Sequence, residues 1–194
     1  MRPTPSRYFD DVVTTIGKMP LRTVDQMVEV LMQAYEESRM IYLFGNGGSA
    51  ALASHFACDL GKGAANGSGK RFQVLAFTDN IPMMTAWAND SSYEDVFAEQ
   101  LMNFVRPNDI AFAISGSGKS PNVLKALKAA REAGAFTIGL TGFQGGDMKH
   151  LCDLCLIIPS ENMQVIEDLH LSVTHAVFTA LRARICLQNR AAVA

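Results

Sequence analysis

Residues 40–50, MIYLFGNGGSA, and residues 109–122, DIAFAISGSGKSPN, share one pattern. Each is an apolar run of strand length, then a turn rich in glycine and small polar residues, then the start of a helix. A nearly continuous apolar run suits a strand covered on both faces, as strands of a parallel sheet are. Working outward, the same rhythm predicts strands at 40–44, 73–78, 109–115, 136–141 and 153–158. Helices are predicted at 50–60, 93–104, 121–133 and from 163 to about 187. Strands alternating with helices imply an α/β fold, a doubly wound five-stranded parallel sheet flanked by helices. In such sheets ligands sit at the carboxyl ends of the strands, where both turns lie.

Ahead of this unit, residues 8–18 and 23–38 have helical spacing, with a break at Pro20 and with Val24, Met27, Val28, Leu31 and Ala34 on one face. The chain therefore divides into N-terminal helices at 1–39, assigned to oligomerisation, and an α/β domain at 40–194. A length of 194 residues favours one sizeable domain. With 48% hydrophobic and 19% charged residues, disorder is excluded as the main state. Residues 62–70, KGAANGSGK, read as a flexible loop.

Seventeen Lys and Arg against nineteen Asp and Glu give a net charge of −2, which offers no footprint for nucleic acid or an acidic membrane. The start, MRPTPSRYFDD, lacks the apolar stretch of a signal peptide, and no run is long enough to span a bilayer, so a cytoplasmic protein is expected. Four cysteines, Cys58, Cys152, Cys155 and Cys186, are too scattered for a disulfide framework. Cys152 and Cys155 have redox or zinc spacing, but LCDLCLIIP reads as buried strand and no second such pair completes a zinc site.

Two nucleotide motifs are tested and set aside. GNGGSA at 45–50 fits the short G-x-G-x-x-A pattern, but glycine-rich turns before helices are common. Gly118-Lys119-Ser120 resembles the end of a P-loop, yet the glycine that motif needs five positions earlier is Ala113, and Pro121 follows at once. No nucleotide is expected. What remains is a cluster of hydroxyls, Ser115, Ser117 and Ser120 in one turn and Ser49 in the other. Serine hydroxyls and free N–H groups at the positive end of a helix are what a phosphate monoester requires. A single serine before Pro121 would be explained as a helix cap. Three at spacings of two and three, with glycines between, would not.

These residues resemble the sugar isomerase (SIS) domain family. The GNGGS and SGSGKSPNVLKALKAAREAG turns, with HFACDL, AND at 88–90, LTGFQGG at 140–146 and IEDLHLSVTH, are similar to its phosphoheptose isomerase group. The resemblance implies isomerisation of sedoheptulose 7-phosphate to D-glycero-D-manno-heptose 7-phosphate, a step of heptose biosynthesis toward lipopolysaccharide precursors. It implies phosphate at Ser115, Ser117 and Ser120, and a sugar side lined by Asn46, Gly47, Gly48, Ser49, Asp90 and Glu167. Asp59 and His175 take the acid and base roles, and a divalent metal, zinc above all, falls to His55, Asp59, Glu167 and His175. A homotetramer is implied as well. An isomerase for another phosphosugar, or a non-catalytic adaptor of the replication-initiation type, is the alternative.

The residues themselves support part of this. His55 and Asp59 are four apart and so share a helix face. Glu167 and His175 are eight apart, about 12 Å along a helix and turned by about 80°, which strains the idea of one shared ion. His150 reads as a solvated loop residue and His170 carries no assignment. Asp59 stands where the family has Glu, and Glu167 where it has Gln. Gly116 and Lys119 replace polar residues of the phosphate turn, with Lys119 expected to add charge there.

Overall fold

The computed structural model describes residues 4–64 and 70–193, with side chains described through residue 188. Two helices lead, α1 (Pro5–Ile16) and α2 (Leu21–Glu36), followed by β1 (Met40–Gly45), α3 (Gly48–Cys58) and a π turn at Asp59–Gly63. Then come β2 (Gln73–Ala76), α4 (Ile81–Asp90), the short α5 (Ala98–Met102), β3 (Ile110–Ile114) and α6 (Pro121–Glu132). The chain ends with β4 (Phe136–Thr141), a 3-10 turn at Met148–His150, β5 (Leu154–Ile157) and α7 (Met163–Val193). The strands form one parallel sheet in the order β2-β1-β3-β4-β5. The order reverses between β1 and β3, and both glycine turns lie at that switch point, where a crevice opens in doubly wound sheets.

Alternation along the strands divides the core. Ile41, Leu43, Ile110, Phe112 and Ile114 face one side, where they pack with α2, α3 and α7. Tyr42, Phe44, Ala111 and Ala113 face the other, against α5 and α6. Small residues on β3 let the helices of that second side approach the sheet.

The helix α2 is no appendage. Val24, Met27, Val28, Leu31, Met32, Ala34 and Tyr35 are all buried in the first of these clusters. In α1, Tyr8 and Val12 pack on the core and the Tyr8 hydroxyl donates to Asp168 Oδ2 at 2.5 Å, while Phe9, Val13 and Ile16 remain exposed. Residues on both sides of the boundary expected at residue 39 thus share a single core, and α1 keeps a bare apolar stripe.

Two other elements depart from expectation. Residues 81–90 are helical where the sequence pattern predicts no element: Asn80 caps α4 by accepting from the Met83 N–H at 3.2 Å, and Pro82 sits at its first turn. The helix predicted at 93–104 shrinks to α5, preceded by turns. Residues 65–69 of the glycine-rich loop lie outside the described residues, and 62–63 belong to the π turn. Cys155 lies on the edge strand β5 with Cys152 just before it, and the two sulfurs crowd the face of Gly139. Their mutual hydrogen bond, and then burial, push the Cys152 thiol up, so it stays protonated.

The start of the central strand pair is tied by one buried carboxylate. Asp109 accepts from the N–H of Met40 at 3.0 Å, the N–H of Arg106 at 2.9 Å and the Tyr42 hydroxyl at 3.2 Å. Removing it would orphan three donors in a part of the structure closed to water. Asp109→Ala is therefore expected to destabilise the protein by about 3 kcal/mol in urea unfolding, and Asp109→Asn by less.

Candidate active site

The two switch-point turns are locked together by a pair of amides. Asn46 Nδ2 donates to Asn122 Oδ1 at 2.8 Å, and Asn122 Nδ2 returns a bond to Asn46 Oδ1 at 2.9 Å. The Tyr93 hydroxyl adds a third bond, to Asn46 Oδ1, at 3.0 Å. Asn122 is 2% exposed and the sequence reading passed over it, as it did Tyr93. The signal for Asn122 was its place at the first turn of α6, where its Oδ1 also accepts from the Val123 N–H at 2.9 Å. The Asn46 side chain is thus committed within the protein, and it meets a ligand as part of a braced wall.

In the second turn, Ser120 sits at the cap position of α6, but its hydroxyl makes no capping bond. It faces Ser115 Oγ at 3.2 Å instead. Ser115 Oγ accepts from the Gly118 N–H at 3.2 Å, and Ser117 Oγ from the Lys119 N–H at 3.3 Å. Plain helix capping therefore does not account for these serines. Asn46, Ser49, Ser115, Ser117, Ser120 and Glu167 enclose a recess of ≈140 Å³. Lys119 does not line it. It faces a separate hollow shared with Lys149 and Phe143 on the other side of Ser117, so the charge expected in the recess lies outside it.

A second cavity of ≈230 Å³ runs between α3 and α7, with Gly48, Ser49, Leu52, His55, Glu167 and His170 among its walls. Ser49 and Glu167 are common to both cavities. The two helices run side by side in the same direction. At Gly48 a Cβ would stand 3.2 Å from the Glu167 carboxylate oxygens, and at Gly63 it would stand 2.7 Å from Phe178 Cζ. Glycine at both ends is what permits this approach.

Between those ends lies a cluster of three groups. His55 Nε2 is 3.0 Å from His175 Nε2 and 3.5 Å from Asp59 Oδ2, and His175 Nε2 is 3.8 Å from the same oxygen. Asp59 Oδ2 is buried with no hydrogen-bond partner. A buried carboxylate oxygen without a donor is costly, and a cation among the three groups would satisfy it. Donors around a four-coordinate zinc stand about 3.3 Å apart, given bonds of about 2.0–2.1 Å, so the observed spacings fit. Two imidazoles and one carboxylate are a donor set suited to a divalent metal ion.

Glu167 is not part of this cluster. Among the described residues the convergent group is His55, Asp59 and His175, and Glu167 lies against Gly48, two turns earlier on α7. The four-ligand set expected from resemblance is thus not assembled, because eight residues of straight helix separate its two members on α7. Asp90 also stands apart. It ends α4, exposed and accepting from Asn89 Nδ2 at 2.7 Å, and lines neither cavity. Gly47 and Gly48 are exposed, Gly48 in the wall of the second cavity and Gly47 at φ 55°.

The recess and the groove beside the His55, Asp59 and His175 cluster share Ser49 and Glu167 as a common wall. The SIS domain family model matches residues 7–142. Phosphoheptose isomerase of Rhodospirillum rubrum is 41% identical over 142 residues, 73% of this chain and 75% of that protein. The Clostridium acetobutylicum enzyme is 36% identical over 157 residues, 81% and 80% of the two chains. The solved phosphoheptose isomerase of Neisseria gonorrhoeae superposes with a TM-score of 0.84 at 29% identity, covering 92% of this chain and 96% of that one. With the family model over residues 7–142 and the fold shared along nearly the whole chain, the chain belongs to the SIS domain family, beside the phosphoheptose isomerases.

Proposed function

We propose that the protein is a phosphoheptose isomerase that interconverts sedoheptulose 7-phosphate and D-glycero-D-manno-heptose 7-phosphate. The observation that carries this reading is a serine-lined recess sharing Ser49 and Glu167 with a groove whose wall includes His55 of the His55, Asp59 and His175 cluster. The hydroxyls of Ser49, Ser115, Ser117 and Ser120 hold the phosphate, aided by the positive end of α6. The polyol then extends past Gly47, Gly48 and Glu167 toward the cluster.

Ketose and aldose share an enediol. A proton leaves C1 and returns at C2, while a second moves between O1 and O2. With no ion bound, Asp59 and His175 divide these transfers. His55, Asp59 and His175 would hold a divalent ion, and zinc bound there supplies Lewis-acid polarisation of the sugar oxygens. Asp59, one methylene shorter than the family Glu, still comes within 3.8 Å of both histidines because the helices are close. No helix among the described residues is long and apolar enough to cross a membrane, and a cytoplasmic enzyme fits a phosphorylated substrate. The stripe of Phe9, Val13 and Ile16 is the surface through which copies would meet in a homotetramer.

Incubation with a panel of ketose phosphates, followed by NMR, is expected to give the heptose product. Binding without isomerisation, with and without zinc, would favour the adaptor reading. Asp59→Asn should lower turnover at least about 100-fold with binding retained, whereas Ser117→Ala should mainly raise KM, since the phosphate is held alike in ground and transition states. Elemental analysis should find zinc in the wild type and little in His55→Ala. Light scattering should give four times the 21.1 kDa chain mass, and a monomer that persists on dilution would refute the tetramer.

A further inference from the structure

His170 is 1% exposed and takes no part in the chemistry described above. Its Nε2 lies 3.1 Å from the carbonyl oxygen of Thr141. A carbonyl can only accept, so Nε2 carries the hydrogen, and in a neutral ring Nδ1 is then left as an acceptor. Burial pushes the imidazole down to about 4, so the ring is neutral at physiological pH. Nδ1 itself is buried and has no hydrogen-bond partner. Native proteins seldom leave such an atom unpaired without cause. The ring also forms part of the wall of the groove between α3 and α7.

We propose that His170 is a sugar-binding residue whose Nδ1 accepts a hydrogen bond from a hydroxyl of the polyol chain lying in that groove. The inference rests on the phosphosugar reading above and adds a contact to it. The groove shares Ser49 and Glu167 with the recess, and His55 with the cluster. A sugar with its phosphate in the recess and its reacting carbons at the cluster passes this wall. The chemistry is selective, because an acceptor-only nitrogen takes an O–H and rejects the acceptor oxygens of a phosphate. His170 would thus help set which end of the ligand enters which cavity.

The test is His170→Gln, whose side-chain amide keeps an N–H for the Thr141 carbonyl and loses the acceptor at the Nδ1 position. KM for sedoheptulose 7-phosphate is expected to rise about tenfold, with kcat within about threefold and affinity for inorganic phosphate unchanged. An unchanged KM would make His170 a purely structural residue and overturn the proposal. An equal loss of sugar and inorganic phosphate affinity would do the same, since it would report damage to the recess. If the variant does not fold by circular dichroism, Ala51→Phe is read instead, because Ala51 is an exposed wall residue of the groove. It should raise KM while sparing inorganic phosphate binding, and an unchanged KM would again overturn the proposal. Should the wild type prove unable to isomerise, calorimetry with sedoheptulose 7-phosphate and with inorganic phosphate separates the two readings. Selective loss of the sugar phosphate in His170→Gln would uphold the contact while the isomerase assignment fell, and equal affinities for wild type and variant would overturn the contact.

Discussion

The close lie of α3 against α7 is the constraint on which the site depends. Here glycine stands opposite Glu167 at one end and opposite Phe178 at the other, so bulk is absent where the two surfaces would first collide. The histidines between them can then meet edge to edge. A carboxylate at Asp59 reaches both rings from the first residue of the π turn, a helix irregularity often found at functional sites. The same closeness that makes the cluster also leaves a narrow groove above it, with His170 in its wall.

The sheet supplies the second half of the design. Its order reverses between β1 and β3, so the turns after these strands feed helices on opposite faces, with a crevice between them. Such a gap would be loose if each turn were free. The reciprocal amides of Asn46 and Asn122 close it with two hydrogen bonds that both satisfy and orient the groups they join. The serine turn is further held from below, where the Gly142 N–H donates to the Gly116 carbonyl at 2.9 Å and the Met148 N–H to that of Gly118 at 3.1 Å. Preorganised hydroxyls need little reordering when an anion arrives.

Much of this was legible in the sequence. Continuous apolar runs marked all five strands, because both faces of each central strand are buried, and the glycine turns marked the switch point. His55 and Asp59 announced a shared face by their spacing of four. What the sequence hid were relations across elements. Helical arithmetic puts Glu167 about 12 Å from His175 along α7, in tension with one shared ion, but only the pairing of α7 with α3 tells which of them meets His55. Asn122 and Tyr93 matter through a partner far away in the chain, and nothing local distinguishes them from an ordinary cap and an ordinary surface aromatic. The helix α4 was passed over because its packed residues, Met84, Trp87 and Ala88, are only half-buried and give a weak periodic signal.

The separations in sequence carry a consequence for folding. Asn46 and Asn122 are 76 positions apart, and His55 and His175 are 120 apart. No fragment that lacks α7 contains the cluster, and no partly folded chain with a detached last helix does either. During synthesis the strands and the phosphate turn would emerge well before the residues that complete the site. A sugar phosphate would therefore find little to hold on the unfolded chain and would bind the native state almost alone. Its full binding free energy then adds to stability by mass action, so the pool of ligand in the cell would set how long the folded chain survives.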